Sequence, residues 1–156
     1  MLRPYEVTSA MLKGIHPLNH ADLLHALAAM GHGDDLVIVD ANFPAASVGK
    51  RLVQLPTPTA AIALDAILTL FPIDTVAKPA VLTMQVTEDI AAVPEPVREF
   101  GEMLARSAPV ATVGSLERHA FYARARNAFV IVRTGELRRF GNVLLVKGVV
   151  NRYPLG

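Results

Sequence analysis

The residues best equipped for chemistry in this 156-residue chain fall in four short segments. Gly31-His32-Gly33-Asp34 sets an imidazole between two glycines, which leave it little steric company and let the backbone turn sharply. An imidazole there can reach into a cleft, and its ordinary pKa of about 6.5 suits giving and taking protons near neutrality. The plainer alternative is a loop histidine after a helix, where a cation is favoured. Asp40-Ala41-Asn42-Phe43-Pro44-Ala45 places a carboxylate directly after an apolar run. It could accept hydrogen bonds from hydroxyl groups or orient a histidine, or belong to an ordinary strand-ending turn. Arg118 and Tyr122 are four apart within Glu117-Arg118-His119-Ala120-Phe121-Tyr122 and would share one helix face. Together they offer a fork of donors and a phenol suited to a polyol, though a solvated arginine beside a half-buried tyrosine fits the same spacing. Thr134-Gly135-Glu136 and Phe140-Gly141-Asn142 bracket a polar turn that could bind hydroxyls through Asn142 and backbone groups, or serve as hairpin-like turn chemistry.

Other chemistries find less support. The chain has no cysteine, which removes disulfides, thiolate-held metals and thiol catalysis. His16 and His20 have zinc-like spacing, but Pro17 lies between them, and His20 and His25 would face different sides of a helix. No metal is expected. Neither glycine-loop signature for phosphate is present. The net charge is +1, and Arg138-Arg139, the one dense basic cluster, is too short for a nucleic-acid footprint. No apolar run approaches the ~20 residues that span a bilayer, and the first residues lack the apolar stretch of a signal peptide. A cytoplasmic protein without nucleic-acid or membrane partners is expected. At 52% hydrophobic and 19% charged, the chain has either a generous core or apolar surface that meets another subunit.

The elements that must position these segments can be read from patterning. Residues 1–10 read as a lead-in, with one domain over residues 11–156. Residues 20–30 read as a helix, with Asn19 as N-cap and Gly31 as the C′ residue. Leu36-Val37-Ile38-Val39, apolar without alternation, suits a strand buried on both faces. Arg51 to Leu55 reads as a second strand, Thr59 to Phe71 as a helix and Val81 to Val86 as a strand. Pro94 to Arg106 reads as a helix entered through prolines. Val110 to Val113 reads as a strand, Glu117 to Arg126 as a helix, and Phe129 to Val132 and Val143 to Val146 as two last strands. Strands alternating with helices predict a single three-layer α/β/α domain with a central, partly parallel sheet. Ligands of such sheets gather where the chain leaves the carboxyl ends of the strands, and Asp40 follows one.

Taken in order, these pieces resemble the ribose-pyranase/fucose-mutarotase family. The matching segments are MLKGIHPL at 11–18, ALAAMGHGDDLVIVDANFPA at 26–45, ERHAFYARARNAFVIVRTGE at 117–136 and FGNVLLVKGV at 140–149. Met-Gly-His-Gly-Asp, the Phe-Pro-Ala after Asp40 and Arg-x-Ala-Phe-Tyr look more like the fucose branch than the ribose branch. The resemblance implies a cofactor-free mutarotase that interconverts the α and β anomers of a free aldose, L-fucose or a related sugar. It implies His32 as proton donor, with Asp40, Arg118, Tyr122, Phe140, Gly141 and Asn142 at the sugar. It also implies a homo-oligomeric ring, a pentamer or a decamer of two pentamers, in which a neighbouring subunit completes each site. Two positions depart from the family pattern. Phe140 stands where the family has tyrosine, and Asn42 where the fucose branch usually has histidine. Both departures bear on the substrate more than on the reaction. The competing expectations are a D-ribose pyranase, a non-catalytic monosaccharide-binding protein of a transport or catabolic system, and a structural or regulatory ring that has lost activity.

Overall fold

A computed structural model describes residues 12–151 of the chain. The expected lead-in at residues 1–10 lies outside the described residues. In chain order the elements are α1 (Ala21–Ala29), β1 (Asp35–Val39), α2 (Ala45–Val48), β2 (Leu52–Gln54), α3 (Ala60–Leu68), β3 (Val81–Met84), α4 (Glu95–Ser107), β4 (Val113–Leu116), α5 (Arg118–Asn127), β5 (Val130–Arg133) and β6 (Val143–Val146). The strands form one sheet in the order β2-β5-β1-β6-β3-β4. Only β6 runs against its neighbours β1 and β3; the other pairings are parallel. Five carboxyl ends therefore share one edge of the sheet with the amino end of β6.

Alternation along the strands divides the core into two layers. Leu36 and Ile38 of β1, with Val81, Val130, Val132, Val143 and Leu145, face α1, α3 and α4. Val37 and Val39, with Leu82, Ile131, Leu144 and Val146, face α2 and α5. Both faces are covered, so these strands read as continuous apolar runs, and the architecture is the three-layer α/β/α expected. Phe121 and Ala125 are fully buried and fasten α5 to the sheet. Truncating Phe121 to alanine would cost about 3–5 kcal/mol. Arg124 grips Asp35 at the foot of β1 through two bonds of 2.6 and 3.2 Å. That pair leaves the first turn of α5, with Arg118 and Tyr122, at the carboxyl edge of the sheet.

The structure corrects several local expectations. The N-cap of α1 is His20, whose side chain accepts from the Leu23 N–H. Asn19 is drawn away from that role: its buried amide donates to the Ala66 carbonyl at 2.9 Å and ties α1 to the end of α3. Gly31 follows the C-cap Met30 as expected, but the left-handed residue is Gly33, at φ 85°. The strand expected at 110–113 lies at Val113–Leu116, because pairing of Val81 with Val113 sets its start rather than the apolar run. Val110 is 81% exposed. Finally, β5 and β6 do not form a hairpin. They flank β1 from opposite sides, so residues 134–142 cross over its end. No helix among the described residues is long and apolar enough to cross a membrane.

Candidate active site

The crossover at 134–142 and the end of β1 are built into one unit. The Thr134 amide and hydroxyl both donate to the Val39 carbonyl, at 3.0 and 2.8 Å. The Ala41 amide donates to the Glu136 carbonyl at 2.8 Å. Glu136 is 2% exposed and lies against Arg138 at 2.8 Å, which in turn reaches Glu99 of α4 at 2.8 Å. Hydrogen bonds from Arg138 to Glu99 first, and then to Glu136, hold this guanidinium still further above its ordinary range. Gly141 is required where it stands, because a Cβ there would come within 2.7 Å of the Glu136 side chain. The preceding Phe140 adopts a left-handed φ of 62°, a costly conformation for an aromatic residue.

Above this unit a cavity of about 380 Å³ opens at the carboxyl edge. Asp40, Arg118, Tyr122, Phe140 and Asn142 all line it, joined by Asn42, Phe43, Met84, Thr87 and Arg139. Gly141 lies between two lining residues, buried beneath them. Asn142 accepts from the Asp40 backbone N–H at 2.9 Å through Oδ1, which fixes the amide and leaves Nδ2 as the donor. Nδ2 lies 3.8 Å from the Met84 sulfur, and the Asn142 side chain also helps to hold the Asp40 carboxyl down. Asp40 Oδ1 accepts from the Asn42 and Phe43 amides at 3.0 and 2.8 Å, so Oδ2 is the carboxylate oxygen left for a ligand. Burial pushes the Asp40 carboxyl above its ordinary range, against those two N–H groups, and the charge of Glu136 pushes the same way. Tyr122 packs edge-on against Phe43, with ring centres 5.2 Å apart. Donors, one carboxylate oxygen and aromatic walls in a concave site are the equipment of a small-polyol pocket.

His32 is elsewhere in the protomer. It precedes β1 while Asp40 follows it, so the length of the strand, about 17 Å, separates the two ends. Its Nε2 meets Asp74 Oδ1 at 3.1 Å. The carboxylate that orients the imidazole within the chain is thus that of Asp74, not Asp40. Asp74 is 7% exposed, and its other oxygen accepts from the Ala77 amide at 2.9 Å. The Ala77 N–H above all holds the Asp74 carboxyl below its usual range; burial opposes it, and the bond to His32 adds to the lowering. A carboxylate can only accept, so the neutral imidazole carries its hydrogen on Nε2 and presents a bare Nδ1. Half of the His32 side chain is exposed. His16 and His20 are engaged locally: His16 Nδ1 accepts from the Leu18 amide, and His20 Nε2 lies 2.9 Å from the Gln54 carbonyl.

Sequence reasoning had no route to Asp74, which stands 42 residues from its partner in a segment without a motif. Thr87 and Met84 were equally silent, and Arg139 was visible only as half of an arginine pair.

The model of the RbsD / FucU transport protein family matches residues 13–150. The chain belongs to the RbsD/FucU family. Solved structures of similar chains agree. A fucose mutarotase from Streptococcus pneumoniae, in complex with L-fucose, is 35% identical. The similarity covers 89% of this chain and 99% of that one, with a TM-score of 0.83. FucU from Bifidobacterium longum is 39% identical over 88% of this chain and 99% of its own, with a TM-score of 0.80. RbsD from Bacillus subtilis, complexed with D-ribose, is 22% identical over 84% of this chain and 94% of its own. Its TM-score of 0.65 speaks for the fold alone. In this RbsD/FucU chain Asn42 and Phe140 both lie on the cavity wall.

Proposed function

We propose that this RbsD/FucU protein is a cofactor-free aldose mutarotase, with L-fucose or a close relative as substrate. The observation that carries the reading is the convergence of Asp40, Arg118, Tyr122 and Asn142, from three distant segments, on one monosaccharide-sized cavity. A ring sugar placed there would give a hydroxyl hydrogen to Asp40 Oδ2 and accept hydrogen bonds from Asn142 Nδ2 and the Arg118 fork. Phe43, Tyr122 and Phe140 would cover its apolar face.

His32 enters this site from a second copy of the chain. Exposed apolar residues support such a contact at both ends of the sheet. Ile90, Val93 and Leu137 stand at the cavity end, and Val76, Val149 and Val150 at the His32 end. Two different patches meeting head to tail make a heterologous contact, and such contacts build a ring when their rotation closes. A pentamer, alone or doubled, is the proposed assembly.

In the proposed reaction His32, protonated on Nδ1 and held by Asp74 through Nε2, gives its proton to the ring oxygen. The C1–ring-oxygen bond breaks as the anomeric hydroxyl releases its proton to water and becomes the aldehyde oxygen. Rotation about C1–C2 presents the other carbonyl face. On closure the ring hydroxyl attacks C1, its proton returns to Nδ1, and water reprotonates the anomeric oxygen. Electrons stay within the sugar, so the cycle asks for no redox carrier. Positioned acid–base catalysis supplies about 10²–10⁴-fold, ample for a reaction that already runs in water.

The test is NMR magnetisation exchange between the α and β anomeric signals of L-fucose at catalytic protein concentration, with D-ribose in parallel. Rapid exchange with fucose that falls by about 10²-fold or more in His32→Ala is expected. Near-wild-type exchange in that variant would remove His32 from the mechanism. Saturable sugar binding without any exchange would favour a binding protein instead.

A further inference from the structure

His32 and Asp74 meet at 3.1 Å, yet neither belongs to a helix or a strand. His32 stands in the tight turn between α1 and β1, which closes on itself. The Gly31 amide donates to Asp34 Oδ2 at 2.7 Å, and the Asp34 amide to the Gly31 carbonyl at 3.2 Å. Asp74 stands in the irregular stretch between α3 and β3. One short extended segment, the end of β6 and the two residues after it, binds both stretches. Its backbone groups point alternately to either side, so each edge can hold a different partner. Toward one edge, the Lys147 carbonyl accepts from the Gly33 amide at 2.8 Å and its amide donates to the Asp34 carbonyl at 2.9 Å. Toward the other, the Val146 carbonyl accepts from the Asp74 amide at 2.9 Å and the Gly148 amide donates to the Pro72 carbonyl at 2.8 Å. The imidazole and its carboxylate thus hang from opposite edges of residues 146–148.

Side chains tighten the arrangement. Lys147 Nζ donates to the carbonyl of Met30, the C-cap of α1, at 2.9 Å. A cation is favoured at that end of a helix. Lys147 therefore holds the His32 turn on both sides of the histidine, at Met30 before it and at Gly33 and Asp34 after it. Gly148 leaves no room for a side chain. A Cβ there would lie 2.8 Å from the Ile73 carbonyl oxygen and 2.9 Å from Asp74 Cα. Those neighbours are backbone, so an added methyl group would push Asp74 itself away.

We infer that Lys147 and Gly148 are positioning residues of the His32–Asp74 pair. Lys147 fixes the turn that carries the imidazole, and Gly148 lets the chain that carries the carboxylate lie close enough to meet it. The inference rests on the reading of His32 as proton donor and extends it to two residues that act through the pair. Such support matters because a reacting group misplaced by about 1 Å can lose about 10²-fold in rate.

The experiment makes Gly148→Ala, Lys147→Met and Lys147→Arg in the full chain. Crystal structures give the His32–Asp74 distance in each, and anomer exchange over a series of L-fucose concentrations gives kcat and KM. Gly148→Ala should part Nε2 from the carboxylate beyond about 3.5 Å and lower kcat about 10²-fold. Lys147→Met keeps the aliphatic stem and loses the donor, so the turn should shift, the pair should part and kcat should fall about tenfold. Lys147→Arg can still donate to the Met30 carbonyl and should recover most of that loss. KM should stay within about twofold throughout, as for groups that leave ground-state binding alone. A merely structural role would lower the melting temperature and leave the distance and kcat of the folded protein unchanged. If Gly148→Ala does not fold, the two Lys147 variants decide. The pair at its wild-type distance in Gly148→Ala or in Lys147→Met, or an arginine variant no better than the methionine one, would overturn the inference. The two readings fail separately. A parted pair with undiminished exchange, or a wild type without exchange, would keep the positioning and sink His32 as proton donor. Exchange that is lost in His32→Ala and untouched in these variants would do the reverse.

Discussion

Asp74→Asn tests the histidine arrangement most directly, because the structure dictates how the amide must sit. The Ala77 N–H, 2.9 Å from Oδ2, needs an acceptor. The single oxygen of asparagine will take that place, since the flipped rotamer would leave a part-buried N–H facing an NH2 group, at a cost of about 1–3 kcal/mol. The NH2 group then faces His32 across the 3.1 Å contact. Two donors cannot share that bond, so the imidazole must present a lone pair at Nε2 and move its hydrogen to Nδ1. The neutral ring then has the wrong tautomer for accepting the ring-hydroxyl proton, and the protonated ring loses its ionic partner. On the proposed mechanism this removes most of the acid–base contribution, so kcat should fall by about 10²-fold or more with KM little changed, because Asp74 stands behind His32 and other residues hold the sugar. Anomer exchange across a series of fucose concentrations separates the two constants. The pH dependence of kcat should also move, which a merely structural role would not produce. A variant that keeps more than half of wild-type kcat with the same pH profile would refute the reasoning, and a melting curve shows whether a loss is simply unfolding.

Three further outcomes are expected. Asp40→Asn should weaken sugar binding at least tenfold, while calorimetric melting shows higher stability at pH 7, because the Asn42 and Phe43 amides keep their acceptor. The sign follows from burial raising the folded-state value: what Asp40 contributes is present below the ordinary carboxylate range and lost as pH rises through the raised one. A lower melting temperature at pH 7 would contradict this. Arg138→Ala leaves Glu136 buried without its cation and should lower the unfolding free energy in urea by about 3 kcal/mol; a loss under 1 kcal/mol would mean that the pair is not structurally important. Phe140→Tyr puts a hydroxyl on the cavity wall and should lower KM for L-fucose about fivefold, the worth of roughly one hydrogen bond; an unchanged KM would show that the ring edge points away from the sugar.

Much of the layered fold was legible because apolar patterning reports burial directly. Leu36 to Val39 read as a strand buried on both faces, and it is; Val143 to Val146 read as a strand, and it too is buried throughout. What patterning cannot report is pairing. The run from Thr134 to Asn142 looked like a hairpin turn because its flanking strands are adjacent in sequence, yet β1 lies between them. Likewise, an apolar run located β4 three residues early, since an edge strand takes its register from its partner. At the cavity, Asp40, Arg118, Tyr122 and Asn142 were identified from residue type, strand ends and the family resemblance. Asp74 was not, because a carboxylate that acts across 42 residues leaves no local trace. The separation of His32 from Asp40 by the length of β1 was, by contrast, implicit in the sequence: two groups on either side of a strand cannot meet within it.

That separation has an arithmetic consequence for the proposed assembly. Each copy carries the cavity half of one site and the imidazole half of another. An open row of n copies therefore completes n − 1 sites, with an idle cavity at one end and an idle histidine at the other. Joining the ends brings the number of working sites up to the number of chains. A closed ring is then the smallest object in which no copy is wasted, and a catalyst of this design is counted in rings, not in polypeptides.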